Sequence, residues 1–445
     1  MFTSKSRISV GICMLFLLST GILSGQELRW RSLPGAPVGA PSYPKIVDCY
    51  FLDENTGWVV MVENSTGKAY KTVNGGYNWT LKYSVPGKTF RSVVCLSDDI
   101  VIIGTLNNSI YRTTNSGDNW SLVHTTPAGL CGMSTPDSNT VYGCGRWYTP
   151  SRFYKSTDRG ATWTEKNMSS YAQNLVDCFF WTVDSGFVVG GKGNTLQNSH
   201  SVVLFTSDGG DTWVERFSGT GDRQWCWKIY FSSDSIGYIA VEKAIYMSNG
   251  TPTPFLKTTD GGVTWVEKDF LPGPFDQEGI GFINDNTGWL GGWGTNENGP
   301  TYKTTDGGDS WVLDDWSRNF NRFRFVNDSV SYAVGKTVYK YSKDSTVGIS
   351  IVSSEIPTEF ELFQNFPNPF NPVTKIRFSV STIDRNVQLK VYDLNGKEMM
   401  TLAYGKFNPG VYEVRFDGSN IPSGVYFYEL SAGDFREVKK MILVK

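Results

Sequence analysis

The 445-residue chain contains only two histidines, His124 and His200, and no Cys-x-x-Cys pair. Zinc ribbons and transition-metal hydrolases draw their ligands from clusters of these residues, so the sequence predicts no metal site, and no motif suggests a cofactor. The chain has 41 basic and 43 acidic residues, a formal charge of −2 and no polybasic run. Because nucleic acids and anionic lipids bind concentrated positive charge, we expect neither as a partner.

Long hydrophobic runs are also scarce. The longest near the start covers residues 8–18, follows Lys5 and Arg7, and precedes small residues that extend to Gly25. This order is typical of a secretory signal peptide, which we predict over residues 1–25. The alternative, a membrane anchor, requires about 20 apolar residues. We therefore expect an exported chain with no integral membrane span after signal cleavage.

The chain does contain a repeated eight-residue turn motif, Thr/Ser-x-Asp/Asn-x-Gly-x-x-Trp. Its tryptophans are 41, 43, 50, 52 and 46 residues apart, a period that indicates one four-stranded propeller blade per repeat. The Asp or Asn can accept hydrogen bonds from backbone N–H groups of the turn, the Gly permits positive φ, and the Trp buries a large ring. The six copies are Thr72–Trp79, Thr113–Trp120, Ser156–Trp163, Thr206–Trp213, Thr258–Trp265 and Thr304–Trp311.

These motifs resemble the Asp-box (BNR-like) repeats of sialidases, sortilin-type receptors, xyloglucan-cleaving glycosidases and the photosystem II assembly factor family. The resemblance implies an all-β propeller in which each motif is a structural turn remote from the binding centre. It does not extend to sialidase chemistry, because the N-terminal Arg-Ile-Pro motif and an evident arginine triad with a Tyr nucleophile are missing. The positions with an implied structural role are Asn74, Asn115, Asp158, Asp208, Asp260 and Asp306.

A second repeated phrase, two apolar strands joined by a polar turn, sets the expected number of blades. It occurs seven times, and the last copy, residues 322–335, has no Asp-box and no Trp-bearing strand after it. Trp30 lies in a strand-like segment, residues 28–33, that no turn motif precedes. We predict a seven-bladed propeller over residues 26–343 that this segment closes by pairing near Val338 to Tyr341, since an open ring exposes sheet edges. A six-bladed ring with an extra hairpin is the alternative.

Six cysteines lie outside the predicted signal peptide, and export permits disulfides. Four of them recur at similar places in successive repeats, which favours small apolar core residues. Pairing of Cys131 with Cys144 across one hairpin is the alternative, because sequence spacing does not fix the geometry. The six are Cys49, Cys95, Cys131, Cys144, Cys178 and Cys226.

The first strand of each blade lines the channel of a propeller. Alignment on a shared Phe places Asp48, Asp177, Lys228, Gly279 and Arg322 at one register. Paired carboxylates are the minimum requirement of a glycoside hydrolase, so Asp48 and Asp177 are the candidate catalytic residues. The alternative is a neutralised polar plug in which Lys228 and Arg322 supply the positive charge; both are also ligand-binding candidates.

Further ligand-binding candidates are aromatic residues outside the turn motifs. Several lie in or near long inserts, and loops on a rigid scaffold commonly determine specificity. Exposed rings stack on sugars or anchor peptides, although we expect most of these rings to pack in the core. The candidates are Trp147, Trp181, Trp225, Trp227 and Trp293.

The repeat ends at residue 343, and we predict a linker over residues 344–359. Residues 360–445 contain alternating strands and tight turns at Asn395-Gly396 and Asp417-Gly418, a pattern typical of a small Ig-like β-sandwich. The segment closely resembles the type A C-terminal sorting domain of the type IX secretion system. The matching elements are Gln364 to Pro372 (QNFPNPFNP), Val391-Tyr392-Asp393 with Gly396, Ser423 to Tyr426 (SGVY) and Lys440 to Lys445.

The second resemblance implies that the type IX machinery is a partner of residues 360–445. In that family the domain directs export through the periplasm and outer membrane of a Bacteroidetes-type bacterium, to the cell surface or the medium. Because such a domain is an address, it does not define the activity of the rest of the chain. The leading hypothesis is an exported propeller that binds a glycan or a protein. The alternatives are a glycoside hydrolase that acts on a polysaccharide and an assembly or stability factor of the photosystem II assembly type.

Overall fold

The computed structural model describes residues 28–33, 35–39, 46–145, 150–243, 253–270, 276–293, 299–314, 316–317, 319–342, 349–353, 355–382, 386–418 and 421–445. Across these ranges the chain forms 36 β-strands and one short 3-10 helix, Leu196–Asn198. No helix in them is long and apolar enough to cross a membrane. The predicted signal peptide, residues 1–25, lies outside the described residues.

Six four-stranded antiparallel sheets each use four consecutive strands. The first two sheets are β2 (Ile46–Phe51), β3 (Gly57–Glu63), β4 (Thr66–Thr72), β5 (Thr80–Pro86), and β6 (Phe90–Cys95), β7 (Val101–Thr105), β8 (Ser109–Thr113), β9 (Ser121–Thr125). The next two are β10 (Gly132–Ser134), β11 (Val141–Gly145), β12 (Arg152–Ser156), β13 (Thr164–Asn167), and β14 (Asn174–Phe180), β15 (Gly186–Lys192), β16 (His200–Thr206), β17 (Val214–Ser218). The fifth and sixth are β18 (Gln224–Phe231), β19 (Gly237–Lys243), β20 (Pro254–Thr258), β21 (Val266–Asp269), and β22 (Asp276–Phe282), β23 (Gly288–Trp293), β24 (Thr301–Thr304), β25 (Val312–Leu313).

A seventh four-stranded sheet joins the two ends of this region. Its strands are β26 (Arg322–Phe325), β27 (Ser331–Val334), β28 (Val338–Ser342) and β1 (Arg29–Ser32). Strand β1 pairs antiparallel with β28, and Trp30 lies opposite Tyr341. The predicted pairing of the segment around Trp30 is therefore confirmed.

The innermost strands of the seven sheets form a closed circuit. Strands β2, β6, β10, β14, β18, β22 and β26 contact one another in that order, and β26 contacts β2. Stacked aromatic rings join neighbouring sheets: Phe51 stacks on Tyr332, 3.5 Å between ring centroids, and Tyr238 stacks on Phe282 at 3.6 Å. The apolar core consequently lies between the faces of adjacent sheets, as in other propellers.

The turn motifs share one hydrogen-bond pattern, illustrated by the fifth copy. The Thr258 hydroxyl accepts a hydrogen bond from the Gly262 N–H (2.9 Å) and donates one to Asp260 Oδ1 (2.8 Å), which also accepts the Thr264 N–H (2.9 Å). The hydrogen bond from the Thr264 hydroxyl contributes most to lowering the pKa of Asp260 to about 2. Gly262 has φ +81°, which favours glycine at this position.

A lysine that precedes the motif's Thr or Ser connects neighbouring sheets in two repeats. Lys155 Nζ donates a hydrogen bond to the Gly209 carbonyl (3.1 Å) and lies 5.9 Å from the Tyr142 ring centroid. Lys257 Nζ donates to the Gly307 carbonyl (2.7 Å) in the same way. Each lysine reaches the glycine of the next turn motif, so the repeated turns also tie the sheets together.

The six cysteines are buried free thiols. A backbone hydrogen bond joins Cys131 and Cys144, in which the Cys131 N–H donates to the Cys144 carbonyl (2.8 Å), and no disulfide links the two thiols. The structure thus places them as core residues, the first of the two interpretations. Burial raises the pKa of the Cys49 thiol well above its usual value, which makes it a poor nucleophile.

The remaining strands form two further four-stranded sheets packed around one apolar core. Their strands are β29 (Ile349–Ser353), β30 (Glu361–Leu362), β31 (Val373–Val380), β34 (Gly410–Asp417) in one sheet, and β32 (Asn386–Tyr392), β33 (Glu398–Lys406), β35 (Gly424–Ala432), β36 (Phe435–Leu443) in the other.

Specific hydrogen bonds hold the Gln364 to Pro372 motif in place within these two C-terminal sheets. Asn365 is buried; its N–H donates to the Tyr428 hydroxyl (2.7 Å) and its side-chain amide donates to the Thr374 hydroxyl (2.9 Å). Residues 349–353, which lie within the predicted linker, form strand β29 and pair with β34. A five-residue strand is too short to produce a clear alternating pattern in the sequence.

We predict that Trp30→Ala lowers the free energy of unfolding of the exported chain by about 3–5 kcal/mol. Trp30 is buried, stacks on Trp316 (4.5 Å between centroids) and meets Trp289 edge-on (5.5 Å), so its removal opens a cavity in the closing sheet. Denaturant unfolding measures the change. Arg29→Ala, an exposed position on the same strand, is the matched control, and an equal effect of both substitutions would contradict closure by Trp30.

Candidate functional site

A β-bulge recurs in the innermost strands. In five sheets the pairing of the innermost strand skips one residue, and this extra residue changes the direction of the side chain that follows it. Four of the channel positions aligned from the sequence follow such a bulge, so they are structurally equivalent. The five residues that follow the shift are Asp48, Ser92, Asp177, Lys228 and Gly279.

Arg322 of the seventh sheet joins two of these residues. Its Nε donates to Asp48 Oδ1 (3.0 Å), and its two terminal nitrogens donate to the two oxygens of Asp177 (3.1 and 3.0 Å). Asp48 is 4% exposed and Asp177 is 0% exposed. Burial opposes the charge of Arg322, but the two carboxylates outweigh it and raise the pKa of the guanidinium. We call Arg322, Asp48 and Asp177 the channel plug.

Backbone N–H groups complete the coordination of both carboxylates. Asp48 accepts from its neighbour Cys49 (3.0 Å, Oδ1) and from Val93 (3.0 Å, Oδ2), and Asp177 accepts from Ile229 (3.3 Å, Oδ2). Each carboxylate oxygen therefore has at least one donor. A glycoside hydrolase needs one protonated carboxyl and room for a sugar between the two groups. The geometry instead matches the polar plug, with one guanidinium between the carboxylates.

Lys228 is the second predicted cation of this register, and it is 3% exposed. Burial and the nearby Arg322 lower its pKa from 10.5 to about 8, and the attraction of Asp177 and Asp48 does not compensate. Among the described residues Lys228 makes no ion pair. It contributes positive charge beside the plug.

A pocket of about 220 Å³ opens over the plug, and Asp48 and Arg322 lie at its floor. Its walls come from the residues two positions further along the innermost strands, which a β-strand places on the same face. These wall residues are Tyr50, Phe179, Tyr230 and Arg324, each half-buried. Thr135 completes the rim, and its hydroxyl lies 3.2 Å from the Tyr50 hydroxyl.

Arg324 is the most distinctive group in this pocket. Its guanidinium carbon lies 3.7 Å from the centroid of the Tyr50 ring, a stacked cation–π arrangement. Within the described part of the chain, none of its N–H groups donates to another residue. Tyr230, by contrast, has its hydroxyl committed to the Phe282 carbonyl (2.7 Å).

The tryptophans predicted as ligand-binding candidates differ in how much of each ring is exposed. Trp225 and Trp227, in the buried innermost strand β18, are 2% and 8% exposed, so neither offers an exposed ring. Trp181 is half-buried and packs edge-on against Phe231 (4.5 Å between centroids). Trp147 lies outside the described residues, and Trp293 ends β23 without a described side chain.

Sequence reasoning missed the pocket walls, although the signal was present. Adding two to four of the five predicted channel positions, Asp48, Asp177, Lys228 and Arg322, gives Tyr50, Phe179, Tyr230 and Arg324, because side chains alternate along a strand. The tryptophans in or near the long inserts include core residues such as Trp227, whose ring centroid lies 5.3 Å from the Arg91 guanidinium carbon.

Comparisons with known proteins identify two family models. Residues 25–283 match the DUF6242 beta propeller domain, and residues 364–445 match the secretion system C-terminal sorting domain. No curated protein matches the chain.

Several solved structures share the fold. YCF48 from Cyanidioschyzon merolae has 16% identity and a TM-score of 0.52, covering 71% of this chain and 99% of its own. YCF48 bound to D1 peptide has 16% identity and a TM-score of 0.51, with 71% and 97% covered. A chain of the Mitotic Checkpoint Complex has 8% identity and a TM-score of 0.51, with 77% and 100% covered. At these identities the likeness shows the fold alone.

We predict that Arg322→Met lowers the free energy of unfolding by about 3–5 kcal/mol, because it leaves two buried carboxylates without their cation. Denaturant unfolding at neutral pH measures the loss. The double variant Arg322→Met/Asp177→Asn should recover part of it, since one uncompensated charge is removed. A single variant as stable as the parent would contradict the plug.

We predict that Lys228→Met abolishes a rise in stability between pH 8 and 10. In that window the unfolded chain holds the Lys228 proton, whose usual pKa is 10.5, whereas the folded chain has released it at about 8. Stability rises with pH wherever the unfolded state binds more protons. The difference between parent and variant unfolding free energies, measured at several pH values, should therefore move in favour of the parent as pH rises. A difference independent of pH would contradict the assignment.

Proposed function

The chain belongs to the DUF6242 beta propeller family, and from this premise we propose that it is an exported binding module whose ligand site is the pocket above the channel plug. The propeller fold and one geometric observation support this proposal. Both channel carboxylates are saturated by Arg322 and backbone donors, while the half-buried Arg324 above them has no hydrogen-bond partner among the described residues.

For the architecture, we propose one closed ring of seven blades over residues 26–343, with a signal peptide at residues 1–25 before it. The seven four-stranded sheets, the contact between β26 and β2, and the pairing of β1 with β28 support this arrangement. We further propose an Ig-like sandwich for the sorting domain, residues 360–445. Strand β29 adds to its first sheet and shortens the linker predicted at residues 344–359.

The C-terminal domain supports the export route. A secretion system C-terminal sorting domain indicates export through the type IX machinery, which is therefore a partner of the chain. We propose passage through the periplasm and delivery to the cell surface or the medium. The six turn-motif residues, from Asn74 to Asp306, are proposed to be structural, in agreement with their hydrogen bonds inside each turn.

Binding explains the site better than glycoside hydrolysis. A general acid needs a carboxyl that can donate a proton to the substrate, whereas the oxygens of Asp48 and Asp177 already accept hydrogen bonds from Arg322 and from backbone N–H groups. A sugar-binding site needs free polar groups around the hydroxyls of the ring. At the pocket, the oxygens of Asp48 already accept hydrogen bonds and the Ser134 hydroxyl oxygen accepts one from the Phe180 N–H (3.0 Å). The polar group left unpaired among the described residues is the cation Arg324, which suits an anion better than a sugar hydroxyl.

We therefore favour a protein segment over a glycan as the ligand. The aromatic walls suit an apolar or aromatic side chain, which peptide-binding sites commonly bury. One structure of similar fold is named for a complex with a peptide, YCF48 bound to D1 peptide. That complex is a property of YCF48, and it supports here only that a propeller of this kind can hold a peptide. An assembly or stability factor, the alternative considered above, would also act by binding a protein segment, so the proposal includes it.

The test is a binding and hydrolysis screen of the complete exported chain against a random peptide library, a glycan array and soluble polysaccharides. We expect selected peptides to bind, and no polysaccharide to be cleaved. Thr135→Trp fills the rim of the pocket and should abolish peptide binding, while Thr125→Trp, on the exposed strand β9, should retain it.

Unfolding curves of the two tryptophan variants control for misfolding. Product release from a polysaccharide that is lost on Asp48→Asn would overturn the proposal in favour of a hydrolase. Glycan binding that Thr135→Trp blocks, with no peptide selected, would overturn the choice of ligand.

A further inference from the structure

We propose that the peptide ligand is acidic, and that its carboxylate binds the free edge of Arg324 while a neighbouring side chain enters the aromatic pocket. This inference rests on the proposed function of the pocket. It adds the chemical class of the ligand and the residue that selects it.

The unused N–H donors of Arg324 indicate an acidic ligand. A guanidinium has five N–H donors in a planar fork that matches the two oxygens of a carboxylate. The guanidinium of Arg324 lies over the Tyr50 ring, with its carbon 3.7 Å from the ring centroid, so one face of the guanidinium is covered. The N–H donors point outward from the edges of the group and stay available for hydrogen bonds. None of those donors is used by another described residue, and the side chain is only half-buried. The group is thus oriented for a ligand that the described part of the chain does not supply.

The second arginine of the same strand shows the contrast. Arg322 lies two residues earlier in β26 and donates to two carboxylates. Among the described residues, two carboxylates pair with the guanidinium of Arg322 and none pairs with that of Arg324. The charged residues that line the pocket are two cations, Arg322 and Arg324, and one anion, Asp48. The excess of one positive charge favours an anionic ligand.

The size and the walls of the pocket indicate that the anion is a single carboxylate carried by a peptide. A volume of about 220 Å³ accommodates roughly one large side chain. Phe179, Tyr230 and Phe325 provide apolar walls, with the Tyr230 and Phe325 rings 5.3 Å apart. A peptide with an aromatic residue next to a carboxylate satisfies both the walls and Arg324. The carboxylate can come from an Asp or Glu side chain or from a chain terminus.

The test uses four synthetic peptides and the complete exported chain. The probes are acetyl-Ala-Phe-Glu-Ala-amide, the same peptide with Gln in place of Glu, acetyl-Ala-Phe with a free carboxylate, and acetyl-Ala-Phe-amide. Ligand-observed NMR titration gives each dissociation constant. We expect Glu to bind about tenfold more tightly than Gln, since a charge-assisted hydrogen bond is stronger than a neutral one. The two peptides without Glu or Gln decide whether a chain terminus also serves.

Arg324→Gln should remove the preference for the charged peptides. The matched control is Arg216→Gln, which removes another half-buried arginine over an aromatic ring, 4.9 Å from the Phe205 centroid, on strand β17. This control should keep the preference. Unfolding curves of both variants establish that each is folded.

The outcomes separate this inference from the proposed function. Equal binding of charged and neutral peptides, with binding still blocked by Thr135→Trp, would overturn the acidic ligand alone. A preference that persists in Arg324→Gln would also overturn it. If none of the four peptides binds the parent chain, and the random library yields no binder, the pocket is not a peptide site and both proposals are wrong.

Discussion

The guanidinium of Arg322 is the interaction on which the rest of the site depends. It connects β26 with β2 and β14 across the channel and neutralises two carboxylates that are almost inaccessible to water. Such a group costs desolvation energy and is retained where its geometry and hydrogen bonds compensate. Because the plug consumes the negative charge at the floor, the cations above and beside it determine the electrostatic character of the pocket.

The plug joins residues of the first, fourth and seventh sheets, so it depends on the contacts that bring these sheets together. Strand β1 completes the seventh sheet, which has no turn motif, and its Trp30 stacks on Trp316. The six turn motifs and the lysines that reach across to them act at the outside of the sheets. Hydrogen bonds inside each turn therefore define the repeated sheets. Pairing between distant segments, β1 with β28, completes the seventh sheet.

Much of this organisation could be predicted from the sequence because it follows from periodicity. The spacing of the tryptophans indicated the sheets, the absent motif indicated the role of Trp30, and a shared Phe aligned Asp48 with Asp177 and Arg322. The sequence could not distinguish a catalytic pair from a plug, because that depends on the direction of one flexible arginine. It also could not show that Trp225 and Trp227 are buried, since an aromatic residue suits a core and a binding surface equally. The alternation of side chains places Arg324 on the channel face two residues after Arg322, but the sequence could not show that its guanidinium lacks a hydrogen-bond partner among the described residues.

The most direct test of the account is a crystal structure of the complete chain with a peptide selected from the library, at a resolution that separates the guanidinium from the carboxylates. The account predicts Arg322 hydrogen-bonded to both Asp48 and Asp177, with the peptide above them and its carboxylate on Arg324. A ligand lying between Asp48 and Asp177, with Arg322 displaced, would contradict it and restore the paired carboxylates as a reactive site.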